Sequence, residues 1–169
     1  MNNCKVALNL HRYNNRHDEI LRTISSFVQK QVPDDVTVLT DLPNGDQYQF
    51  PSSLTLTDLR PDLVAYSNLT KLVTMVELTV CYETNFKGAQ SRKEEKYMEL
   101  VEEIEQKEFV VDLITVEVGS RGFINQESFY HLNATLGATK RELMDLMLSE
   151  TAIRGSFEIW IGRNTTNIN

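Results

Sequence analysis

Cysteine is nearly absent: Cys4 and Cys81 are the only two in 169 residues, too few and too far apart for a disulfide framework. Four prolines and seven glycines leave no low-complexity segment, and no internal repeat is visible. No apolar run approaches the roughly 18 residues that a bilayer requires, so no membrane partner is expected. The first residues, "MNNCKVALNLHRYNNRHDEIL", lack the basic, apolar, small-residue order of a signal peptide. An intracellular location is therefore expected, and the glycosylation patterns at Asn68, Asn133 and Asn164 are read as chance matches. Excess positive charge is also missing. The net charge of −7 argues against holding a polyanion by bulk electrostatics alone.

What is present suits one soluble α/β domain. Hydrophobic residues are 41% and charged residues 24% of the chain, enough for one real core. The charge is uneven. Seven glutamates fall within 94–108, while Arg16, Arg22, Arg92, Lys93, Lys96, Arg121, Lys140 and Arg141 leave room for a separate basic face. Ile20, Leu21, Ile24, Phe27 and Val28 predict an amphipathic helix over 17–30, ended by Pro33. Residues 36–40 and 47–50 predict a short hairpin around the Asn-Gly turn. Tyr97, Val101 and Ile104 predict a helix over about 88–107 between apolar strands near 72–82 and 109–118. Strand, helix, strand makes those two strands parallel. Helices are expected over 126–136 and from about 139, the second broken near Gly155, with Trp160 in the core.

The stretch "RPDLVAYSNLTKLVTMVELTV", residues 60–80, places two carboxylates in a hairpin. A turn centred between Leu69 and Thr70 sets Asp62 directly opposite Glu77, with Cβ atoms about 4.5–5.5 Å apart. Carboxylates that close repel unless a cation or proton intervenes. A divalent cation answers this economically, since Mg²⁺ takes one or two carboxylates plus water and phosphate oxygens. A one-residue slip would separate the pair, and the plainer alternative is a turn aspartate beside an edge-strand glutamate. On the second strand, Leu72, Val76, Leu78, Val80 and Tyr82 are the expected core face. The opposite face turns polar towards Glu77.

Four motifs in order, "RHDEIL" (16–21), "RPD" (60–62), Glu77 and "RKEEKY" (92–97), resemble the restriction-enzyme-like endonuclease domain of non-LTR retrotransposons, a branch of the PD-(D/E)xK nucleases. The resemblance covers about residues 4–122. It implies a mixed central sheet flanked by helices, with 1–15 a remnant of a zinc-knuckle and linker region and 16–169 the nuclease-like domain. Only Cys4 of that knuckle is present. The implied activity is nicking of target DNA, in the nucleus, beside a linked or associated reverse transcriptase. Asp62, Glu77 and the backbone carbonyl of Leu78 would hold Mg²⁺ or Mn²⁺. The superfamily's lysine two residues after the glutamate is Thr79 here, so a lysine from the next helix is expected instead. The family motif favours Lys96, whereas helical periodicity favours Lys93. Arg16, His17, Arg92 and Arg121 are candidate DNA contacts, and Glu19 is a candidate third carboxylate. The alternative is a nuclease fold that binds nucleic acid or a protein partner without cleaving.

Overall fold

A computed structural model describes residues 5–43, 48–135 and 141–164. The elements are α1 (Lys5–Asn9), α2 (Arg12–Gln29), β1 (Thr37–Thr40), β2 (Leu63–Ser67), β3 (Leu72–Cys81), α3 (Phe86–Glu105), β4 (Val110–Gly119), α4 (Gln126–Thr135) and α5 (Arg141–Ile161). The sheet runs β1-β2-β3-β4, antiparallel except for the parallel β3–β4 pair. This is a mixed sheet flanked by helices, as the sequence predicts.

The sheet is buried on both faces. Ile20, Leu21 and Ile24 of α2 and Leu148 and Ala152 of α5 pack with Val76, Leu78, Val116 and Val118. On the other face Tyr97, Leu100 and Ile104 of α3 cover Val64, Val73 and Met75. The expectation of one core face on β3 therefore needs correction: Val73 and Met75 are as buried as Val76 and Leu78, while Leu72 at the strand start is exposed. A strand with a crossover helix behind it and two helices in front has no wet face.

The hairpin register is the one its turn predicts: Leu63 faces Val76 and Ser67 faces Leu72. Ser67 fixes it. Its hydroxyl accepts from the backbone N–H groups of Leu69 and Thr70 at 3.1 Å and donates to Asp35. Lys71 closes the turn in the left-handed region at φ 58°. Ser67→Ala leaves the Asp35 carboxylate and two turn N–H groups without this partner. We expect a loss of about 1–3 kcal/mol, read from the shift in urea midpoint at unchanged slope.

Three other expectations are corrected. Residues 48–50 form no strand, and β1 pairs with β2 instead; the Asn-Gly turn itself lies outside the described residues. Helix α5 runs unbroken through Gly155. Trp160 is about half exposed rather than in the core.

Candidate active site

The site is built where β2 stops. Its ladder with β3 ends at Leu63–Val76, so among the described residues Glu77–Cys81 pairs only with β4. The free edge of β3 floors a cleft between the start of α2 and the middle of α3. One side is lined by Asn14, His17, Asp18, Asp41 and Asp62, and the other by Tyr13, Arg16, Leu78, Thr79 and Lys93.

Asp62 and Glu77 meet there through a reciprocal pair of backbone bonds. The Asp62 N–H donates to Glu77 Oε2 at 3.1 Å, and the Leu78 N–H donates to Asp62 Oδ2 at 2.7 Å. Each carboxylate thus grips the backbone beside the other. Two buried tyrosines hold the approach: Tyr48 donates to the carbonyl of Pro61, and Tyr97 to that of Arg60 at 3.1 Å. Burial pushes both phenols up, assisted at Tyr97 by Glu77 and at Tyr48 by Asp41, so both hydroxyls keep the proton they donate.

Each carboxylate also has a cation. Lys93 donates to Glu77 Oε1, while Lys96 lies 3.8 Å from the same oxygen and donates to the Tyr97 hydroxyl at 2.7 Å. Lys93, one helical turn before Tyr97, therefore makes the direct contact, and Lys96 stands behind it. This reverses the order that the family motif suggests and follows periodicity, which stacks residues four apart on one helix face. His17 places Nε2 3.3 Å from Asp62 Oδ2 and Nδ1 3.2 Å from Asp18. Burial works against charge on the ring, but the bonds to Asp62 and then Asp18 outweigh it and push the pKa up to about 9. At neutral pH the ring is an imidazolium between two carboxylates.

The remaining candidates are not brought to this pair. Glu19 instead bonds Arg154 at 3.1 Å on the far side of α2; its neighbour Asp18 is the α2 carboxylate that reaches the cleft. Arg16 is buried and donates to Ser156 of α5 at 2.8 Å. Burial lowers its pKa, with Tyr13 and Cys81 opposing. Its contacts tie α2 to α5. Arg121 donates twice to Glu83, at 2.8 and 3.1 Å, while Arg92 is exposed on α3. Sequence reasoning missed Tyr48, Asp18 and Glu117. Glu117 is fully buried beside Thr79 in the ladder; Asn125 and Ser128 donate to its Oε2, and its Oε1 has no hydrogen-bond partner. No local pattern singles out these three.

The donor set fits a hard divalent cation. The bonds to Asp62 fall on Oδ2, leaving Oδ1 for a ligand. A strand residue presents its N–H and C=O to the same side, so the Leu78 carbonyl shares the edge where its N–H meets Asp62. Among the described residues no group of three His, Cys, Asp or Glu side chains could hold a metal. Two carboxylates, one carbonyl, water and a phosphate oxygen match Mg²⁺ or Mn²⁺ and not zinc. No protein family model matches the chain, and no curated protein matches it.

Proposed function

We propose that this chain is a metal-dependent endodeoxyribonuclease that nicks target DNA, so that a linked or associated reverse transcriptase can prime from the exposed 3′ end in a mobile element. The observation that supports this most is the Asp62–Glu77 pair on an unpaired strand edge with Lys93 on it. A purely structural hairpin does not need two facing carboxylates, one of them almost wholly buried. A bound divalent cation supplies Lewis-acid stabilisation of the phosphate and a lowered water pKa. Around it, this chain's residues divide the work. Asp62, Glu77 and the Leu78 carbonyl would hold the cation. The Lys93 ammonium orients the attacking water and steadies charge developing on the phosphate. The Tyr48 and Tyr97 hydroxyls fix the Arg60–Asp62 backbone so that Asp62 does not drift.

DNA approaches along the open edge of β3, with the exposed Arg92 as a cationic contact and His17 beside Asp62 in the cleft. Arg121 is available only by exchanging Glu83 for a phosphate. Among the described residues no helix is long and apolar enough to cross a membrane; action in the nucleus follows from the proposed target. The chain, incubated with supercoiled plasmid and Mn²⁺, is expected to give nicked circles, and EDTA is expected to stop it. DNA retention with no nicking in either Mg²⁺ or Mn²⁺ would leave the non-cleaving module as the reading.

A further inference from the structure

Helix α5 has two apolar faces; one is buried in the chain, and the other stays largely exposed among the described residues, with Ile153 alone resting against the Gly122 turn. Met144, Leu148 and Ala152 are buried in the core shared with α2. The opposite face carries Leu143, Leu146, Glu150, Ile153, Phe157 and Trp160, all exposed. Their spacing alternates three and four residues along the helix. That is the seam of a coiled coil, and a single-chain core helix needs no second seam. Met147 and Ile161 widen it, and the rings of Phe157 and Trp160 stack with centroids 6.0 Å apart.

The size of this face argues for a partner. Its seven large apolar residues are each 40 to 56% exposed. At about 200 Å² per side chain this leaves roughly 700 Å² of apolar surface, above the largest patch usual on a monomer. It approaches the roughly 800 Å² per partner of a stable interface.

We propose that α5 is the dimer interface of this chain, two copies pairing antiparallel about a two-fold axis between Glu150 and Ile153. The charges set the direction. Parallel pairing would place Glu150 against the partner's Glu150 in the middle of the seam. Antiparallel pairing places Leu143 against the partner's Trp160 and Leu146 against the partner's Phe157. Glu150 then faces the partner's Ile153, with the partner's Arg154 one position along. Arg154 is free to exchange partners, because its ion pair with Glu19 is solvent-exposed on both sides. A closed two-fold pairing uses the same patch twice and leaves no edge for further growth. The inference stands apart from the nuclease reading, since the α5 seam lies on residues that the cleft does not use.

Sedimentation equilibrium of the whole chain tests it. The unmodified chain is expected to dimerise, and Phe157→Lys to be monomeric with unchanged circular dichroism. Glu150→Arg and Arg154→Glu, each alone, are expected to weaken the dimer about tenfold by setting like charges across the seam. An equimolar mixture of those two variants restores the opposite charges and should regain most of the affinity. A monomeric unmodified chain at its highest soluble concentration would overturn the proposal and give the face to a different partner. A dimer that Phe157→Lys leaves intact, or a mixture no tighter than its components, would overturn it as well.

Discussion

Asp62→Asn and Glu77→Gln should each reduce plasmid nicking by on the order of 10³-fold, since a lost ligand forfeits several kcal/mol of charge stabilisation at the phosphate. The same substitutions should cost little stability. In the metal-free chain each carboxylate is an acceptor for one backbone N–H, with His17 beside Asp62 and Lys93 and Lys96 beside Glu77. An amide oxygen still accepts the backbone bond, and neutralising one member relieves repulsion from the other. Melting temperature is therefore expected to move by about 5 °C or less. Activity lost in step with a large fall in melting temperature would mean that the pair is architectural. Structural polar networks behave in that opposite way, collapsing when one member goes. Measuring nicking and thermal unfolding on the same preparations separates the two.

Lys93→Ala is the second large effect, and it comes with a rescue. Removing the ammonium on Glu77 Oε1 should slow nicking by about 10²–10³-fold, the usual cost of one well-placed donor. Lys96→Ala should cost less than about tenfold, because Lys96 reaches the same oxygen only at 3.8 Å and its bond is to Tyr97. Thr79 lies two residues after Glu77 and so on the same strand face. It lines the open cleft, and its buried hydroxyl has no hydrogen-bond partner. A lysine there can exit along the cleft, and the unpartnered Oε1 of Glu117 sits on the adjacent strand. Thr79→Lys added to Lys93→Ala is thus expected to recover at least about tenfold of the lost rate. Recovery would mean that the chain has moved its cation from strand to helix without changing the chemistry. No recovery, or a larger loss from Lys96→Ala than from Lys93→Ala, would contradict the assignment.

The hairpin was legible because its signals are local. Pro61 before the strand, a polar turn with Ser67 at its start and an alternating second strand fix one register, and that register sets Asp62 against Glu77. Periodicity also pointed to the lysine that touches Glu77, since α3 keeps Tyr97 inward and Lys93 lies one turn before it. The failures share a different cause: each was decided by a neighbour distant in sequence. Arg16 looks like a surface cation until α5 passes over it. Gly155 looks like a helix break, yet a Cβ there would meet Arg16 Cγ at 2.6 Å, so the glycine makes room for the buried arginine inside a continuous helix. Glu19 and Asp18 are indistinguishable as carboxylates, but one residue is about 100° of helix rotation. That rotation turns Glu19 to Arg154 and leaves Asp18 in the cleft. Tyr48 reads as a strand residue, although its hydroxyl is what holds the Pro61 carbonyl.

The facing carboxylates are the centre of the account, and calorimetric titration of Mn²⁺ into the unmodified chain and into Asp62→Ala tests them most directly. One Mn²⁺ per unmodified chain, and none in the variant at unchanged circular dichroism, is the predicted result. No binding by the unmodified chain, or equal binding by both, would contradict a metal site at the end of this hairpin and the nuclease reading that rests on it.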